Sequence, residues 1–204
     1  MFPETFETDR LRFEPLTTET IAPLELYEYT NPDTDFGAVA THLTTDVHET
    51  PNDAREYLFE SEKRWDEATR ANWAIYPLEV EPAAGVFAGV ASLIPLWEKR
   101  TARLGVWLRK PFWGRGYSSE RAAATIAVAF DRLDLEVVSV GYLEGNEKSK
   151  RAIEKYVERY GGTYDGVLRN WVPLDGEVRD LHRYTITAEA WETNRPETAY
   201  TMLE

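Results

Sequence analysis

The stretch from Arg103 to Glu120, RLGVWLRKPFWGRGYSSE, constrains this chain more than any other. It reads as a β-strand, then a turn carrying two glycines, then the start of a helix. That order makes an anion site. Gly114 and Gly116 let the backbone turn tightly and approach a ligand closely. The free N–H groups of the following helix, with its dipole, favour a negative charge by ~0.3–2 kcal/mol. Residues 109 to 118 also contain Arg109, Lys110 and Arg115 and no acid, in a chain whose net charge is -13. Two readings fit the segment alone: a phosphate-binding turn, or a plain strand-to-helix connection that needs glycine for its geometry.

The rest of the chain supplies a sheet for this unit to join. Thr8 to Pro15 (TDRLRFEP) alternates Leu11 and Phe13 with Arg10, Arg12 and Glu14, the period-two pattern of a half-buried strand. A helix is expected over Ala22 to Thr30, and Asn31 to Phe36 reads as a loop. Thr50, Pro51 and Asp53 give a hydroxyl cap, a first-turn proline and an acid at the positive dipole end. They predict a helix from Pro51 to about Thr69. Asn72 to Val80 and Gly85 to Pro95 suggest a hairpin about Glu81, Pro82 and Ala83, and Arg103 to Leu108 is the third strand in a row. Ser119 to Leu133 carries the Ala-rich stripe of a helix packed on a sheet, with Ala123, Ala127 and Phe130 on one side. Glu136 to Leu143 reads as a buried strand. Asn146 can cap a helix running to Tyr160, which Gly161 and Gly162 stop. Val167 to Pro173 and Asp180 to Thr187 predict a closing hairpin around Asp175 and Gly176. The fold class is α/β with a mixed sheet. A chain of 204 residues fits one core, expected over 1–187, and 188–204 reads as a polar surface tail.

Composition removes several classes of function. The 36 acidic residues against 23 basic ones oppose nucleic-acid binding, which rewards a basic face. No run approaches the roughly 20 apolar residues of a membrane helix, and Met1 to Arg10 has no apolar leader core, so a cytoplasmic protein is expected. The absence of Cys removes thiol catalysis and thiolate metal sites, and no metal is expected. The basic residues are 17 Arg and 6 Lys. Acid-rich, Lys-poor usage suits a protein kept soluble in high salt, where repulsion is screened, although an ordinary acidic cytosolic protein fits as well.

What the turn lacks narrows its ligand. It has neither the GxxxxGK[ST] of a P-loop nor the GxGxxG of a dinucleotide fold. Its spacing resembles the pyrophosphate loop of the GCN5-related N-acetyltransferase (GNAT) superfamily, Q/R-x-x-G-x-G/A, laid onto Trp113, Gly116 and Ser118. It is closer to the RimJ and RimL type of ribosomal-protein acetyltransferase, in which a "GYWL" strand leads to "WGKGYATEA". Here Gly105-Val106-Trp107-Leu108 leads to Trp113-Gly114-Arg115-Gly116-Tyr117-Ser118-Ser119-Glu120. Downstream, Asn146-Glu147-Lys148-Ser149 resembles the N-x-x-S of the same branch. Weaker likenesses are TDRL at Thr8 to Leu11, Gly89, Asp165-Gly166 and Arg179-Asp180, so the similarity spans roughly residues 8 to 187.

The resemblance implies a splayed, mostly antiparallel sheet of about seven strands flanked by about four helices. It implies acetyl-CoA as co-substrate and direct transfer of the acetyl group to a primary amine, on a small molecule or a protein N-terminus. Val106, Trp107 and Leu108 would line the pantetheine, with the backbone of Val106 and Leu108 pairing its amides. Gly114, Arg115, Gly116, Tyr117 and Ser118 would hold the pyrophosphate beside Trp113, and Asn146 would bond the pantetheine arm. Arg115, Lys148 and Arg151 would screen the phosphates. Ser149 is the candidate proton donor to the sulfur, or simply a first-turn hydroxyl, and Asn146 can cap its helix as well as bind. A homodimer is compatible with the branch.

The sequence also departs from the family. The Tyr acid found seven residues after the Asn in many members is Ile153, and a Glu of some RimL-type members is Arg103. A further Glu position, after Asp165-Gly166, falls in Asn170-Trp171-Val172. The general base is therefore unlocated, with His42 and His48 as candidates beside a water relay to a carboxylate. These losses leave open a non-catalytic acyl-CoA-binding or regulatory module. Net charge alone points to an acidic acceptor groove and a cationic acceptor.

Overall fold

The computed structural model describes residues 1–43, 47–174 and 176–203. Its elements, in chain order, are β1 (Phe6–Glu7), β2 (Leu11–Pro15), α1 (Pro23–Thr30), α2 (Gly37–Ala40), α3 (Pro51–Asp66), β3 (Ala71–Pro77), β4 (Gly89–Leu96) and β5 (Thr101–Leu108). There follow α4 (Tyr117–Ala127), β6 (Val137–Leu143), α5 (Glu147–Arg159), β7 (Thr163–Leu174), β8 (Glu177–Thr187), α6 (Ala188–Asn194) and β9 (Thr201–Met202). Among the described residues the strands form one sheet in the order β7-β8-β6-β5-β4-β3-β2-β1-β9. Of its neighbouring pairs, β5 with β6 is parallel and the others are antiparallel.

The parallel pair is where the sheet opens. Its register holds only at Thr101↔Val137, Ala102↔Val138 and Arg103↔Ser139. Beyond Arg103 the two strands splay, β5 staying on β4 as far as Leu108 and β6 on β8 as far as Leu143. The expected splayed sheet is thus present, with nine strands rather than about seven and six α-helices rather than about four among the described residues. The additions are short: two-residue β1 and β9, four-residue α2 and seven-residue α6.

Strand alternation sorts the core onto two faces. Trp73, Ile75, Ala91 and Leu104 face α4 and α5, packing with Ala124, Ile126, Ile153 and Val157. Ala74, Val90 and Trp107 face α1 and α3, packing with Leu26, Ala54 and Leu58. The helix starts follow their caps. Thr50 accepts from the Asp53 N–H and Asp53 accepts from the Thr50 N–H, a reciprocal cap that starts α3 at Pro51. Asn146 Oδ1 accepts from the Ser149 N–H at 3.1 Å and starts α5. The helix expected over Ser119 to Leu133 begins at Tyr117, is α-helical to Ala127 and continues as a π turn over Val128–Arg132.

The closing hairpin stands where it is expected, and one expectation, for the C-terminal segment, needs correction. The hairpin of β7 and β8 closes at Leu174↔Glu177; of the turn residues expected there, Gly176 has φ 77° and Asp175 lies outside the described residues. Residues 188–203, expected as a polar surface tail, are mostly exposed but carry regular structure. Thr187 caps α6, Trp191 is buried between Phe130 and Tyr160, and β9 pairs with β1. One indole inserted in the core outweighs the polarity of its neighbours.

Candidate active site

The gap between β5 and β6 is lined by backbone that the sheet does not use. The Arg109 N–H donates to the Ala88 carbonyl at 2.9 Å, which makes Gly89↔Leu108 a non-hydrogen-bonded pair. The N–H and C=O of Leu108, and by alternation those of Val106, therefore point away from β4 into the gap. The Leu108 carbonyl accepts from the Trp113 indole N–H at 2.7 Å, leaving its own N–H available. Gly89 permits this close pairing: a Cβ there would sit 2.1 Å from the Trp107 carbonyl oxygen.

At the open end of the gap the chain turns through Gly114 (φ 76°) and Gly116 (φ 82°) into α4. Among the described residues, the N–H groups of Gly114, Arg115, Gly116, Tyr117 and Ser118 donate to no group of the chain. Consecutive free amides at a helix start form an anion cradle. The side chains of two expected ligands point elsewhere. Tyr117 is buried and donates its hydroxyl to Glu81, so it offers only its N–H. Burial, helped by Glu81, pushes its phenol pKa up. Trp107 packs edge-on against Phe36 and Phe87 on the α1/α3 side.

The cradle is held from beneath by Arg10. Its Nη1 donates to the Arg115 carbonyl at 3.0 Å, its Nε donates to Glu120 at 2.7 Å, and its backbone N–H donates to the same carboxylate at 2.9 Å. Thr8 Oγ1 adds a further bond to Glu120, and Glu81 pairs with the guanidinium at 3.3 Å. Burial pulls the Arg10 pKa down, but Glu120 and Glu81 outweigh it and hold it above the usual value. Fixing the Arg115 carbonyl toward Arg10 turns the Gly116 N–H, antiparallel to it across a trans peptide, the other way. Sequence reasoning missed this role for Arg10 and Glu81; the signal was TDRL, noted as a likeness without a function.

The second motif meets the first in space. Lys148, in the first turn of α5, lies 4.1 Å above the Trp113 ring. Asn146 Oδ1 is used in capping, which leaves its amide nitrogen, and Ser149 lies in the first turn of the same helix. The basic patch at 109–115 is mostly committed elsewhere. Arg109 stacks 3.8 Å over Tyr29 and donates to the Phe87 carbonyl, and Lys110 pairs with Asp35. Arg115 donates Nε to the Pro111 carbonyl and stays on the loop.

On the α3 face, Ser92 donates to Asn72 at 2.6 Å and Asn72 donates to Ser61 at 3.2 Å, beside Gly105 of β5. His48 is buried, with its Nδ1 2.7 Å from Thr30 Oγ1, a bond that ties α1 to the chain before α3. His42 is half-buried outside that network. Ile153 is buried in the core, so no acid stands seven residues after Asn146, and Tyr156 three residues on is buried beside Arg121. Among the described residues no group of three or more metal-ligating side chains occurs, and no helix is long and apolar enough to cross a membrane.

Comparison with known proteins agrees with this geometry. The family model "Acetyltransferase (GNAT) domain" matches residues 10–156. A protein of Bacillus subtilis (strain 168) named as a ribosomal N-acetyltransferase, YdaF, is 34% identical over 109 residues, 53% of this chain and 57% of that protein. The match thus spans little more than half of that relative's length. A structure from T. thermophilus named as an acetyltransferase superposes with a TM-score of 0.75 at 31% identity, covering 96% of this chain and 95% of that one. RimL, the ribosomal L7/L12 alpha-N-protein acetyltransferase solved with coenzyme A, superposes with a TM-score of 0.75 at 17% identity, covering 92% and 99%, and shares the fold. With its splayed β5 and β6, its free-amide loop and a family match over most of its length, this chain belongs to the GNAT acetyltransferase family.

Proposed function

We propose that this protein transfers the acetyl group of acetyl-CoA to a primary amine, on a protein N-terminus or a small molecule. The observation that carries the reading is the run of free amides from Gly114 to Ser118 at the mouth of the gap between β5 and β6. The amides suit the pyrophosphate, and the outward N–H groups of Val106 and Leu108 suit the pantetheine amides, with Trp107 supporting that strand from behind. Trp113, Asn146 and Lys148 close the open end. RimL, solved with coenzyme A, has the same fold.

Direct attack needs a neutral amine, a polarised thioester carbonyl and a proton for the leaving thiolate. A β5 N–H facing the gap polarises the carbonyl, and Ser149 Oγ supplies the proton to the sulfur. The amine forms the new C–N bond and the C–S bond breaks; the nitrogen gives its extra proton to water and Ser149 takes one back from water, so amide and thiol form with the serine restored. The ribosomal substrates named for the relatives support a cytoplasmic setting for this reaction.

Two measurements test the proposal. Acetyl-CoA should raise the melting temperature, since a hundredfold excess over Kd stabilises by ~2.7 kcal/mol. Gly116→Val should abolish that shift, because a β-branched residue resists φ 82°. Thiol release with a panel of amines should then depend on the acceptor. Tight binding without acceptor-dependent release would leave a binding module instead of an enzyme.

A further inference from the structure

Next to the splay point, three arginines converge on a cavity that contains no acid. It measures about 350 Å³ and is lined by Arg64, Thr69, Arg70, Ile94 and Arg103. Sheet register builds it: Ile94 pairs with Arg103, and Arg70 lies one position before the Ala71↔Leu93 pair, beside Ile94. Arg64 comes from the last turn of α3. Arg103 shares its face with Gly105 and Trp107, the face that α3 covers.

Two of these three charges lack a carboxylate. Arg64 shares an exposed bridge with Glu60 at 2.7 Å. Among the described residues neither Arg70 nor Arg103 pairs with a carboxylate, and Arg70 Nε is buried with no hydrogen-bond partner. Burial lowers the Arg70 pKa, with Arg64 and Arg103 adding repulsion against the attraction of Tyr57. Holding a half-buried cation between two like charges is costly unless an anion completes the set. Three guanidinium groups offer forked donors that match a carboxylate or a phosphate.

Position ties this cavity to the proposed chemistry. Arg103 is the last residue of β5 that pairs with β6, so the gap opens immediately beyond it. Gly105, on the same face, lies about 7 Å further along the strand. We infer that the amine acceptor carries an anionic group, a carboxylate or a phosphate, that docks on Arg64, Arg70 and Arg103 while its amine reaches the gap near Gly105. This inference rests on the acetyl-transfer reading above and names the substrate class for that site. It reverses the cationic acceptor expected from net charge. The adjoining cavity of about 510 Å³, which Arg64 and Arg70 also line, carries Asp53, Glu56 and Glu60 of α3; Arg103, at the splay point, is not part of its lining.

The experiment compares matched amines that differ only in the anion: aspartate with asparagine, phosphoethanolamine with ethanolamine, and an N-terminal Ser-Glu peptide with its Ser-Gln counterpart. The wild type should prefer the anionic member of at least one pair by about tenfold or more in kcat/KM, and the preferred pair tells carboxylate from phosphate. Arg103→Gln, at an exposed position, and Arg70→Gln should each bring that ratio close to one. Their melting shift with acetyl-CoA should persist, which shows a folded chain with its donor site intact. Equal rates within every pair, or a preference that survives both substitutions, would overturn the inference. A wild type that shows no acetyl-CoA shift and no thiol release with any amine would instead sink the acetyl-transfer reading on which it rests.

Discussion

At the residue scale, Arg10 shows how a site depends on a side chain far from it in sequence. It contacts no ligand position, yet it holds the Arg115 carbonyl and the Glu120 carboxylate and so sets the direction of the Gly116 N–H. Arg10→Ala should raise the KM for acetyl-CoA about tenfold, the scale of hydrogen bonds lost by a charged group, with kcat changing little. S-acetylpantetheine lacks the pyrophosphate and should be used by wild type and variant almost equally, while Arg10→Lys should restore part of the loss. Equal damage to both donors would make Arg10 a general stabiliser instead. The glycines and Asn146 were legible because each answers a local backbone need. Arg10, Glu81 and the arginine cavity were not, because only strand register brings their residues together.

Elements were legible where caps and periodicity agreed. Thr50-Pro51 and Asn146 started α3 and α5 where expected, since each cap satisfies its own helix without tertiary help. Failure came at the C-terminus. Seven residues give too little periodicity to mark α6, and the acids Glu189 and Glu192 disguise the one residue that packs. Trp191 is 1% exposed, with ring contacts to Tyr160 at 4.9 Å and Phe130 at 6.3 Å. Trp191→Ala should therefore cost ~3–5 kcal/mol, read as a lower urea midpoint at unchanged slope. A loss below ~0.5 kcal/mol would return residues 188–194 to the surface.

At the scale of the whole molecule, net charge and ion pairing make opposite predictions about salt. Most of the bridges are at least partly exposed, for example Arg100–Asp134 and Arg64–Glu60, and such pairs are worth ~0–1 kcal/mol each. The net charge of -13 repels itself across the molecule, and that term grows with every acid left unpaired. Raising KCl from about 0.1 M to about 1 M shortens the screening length from about 10 Å to about 3 Å. Near neutral pH the melting temperature should rise, because the relief of long-range repulsion exceeds the weakening of exposed bridges. The control is pH. Close to the isoelectric point of about 4.8 the net charge vanishes and the same salt step should do little. A rise of equal size at both pH values would mean that the salt acts by strengthening apolar burial, and a fall near neutrality would mean that the arginine bridges carry more stability than their exposure allows.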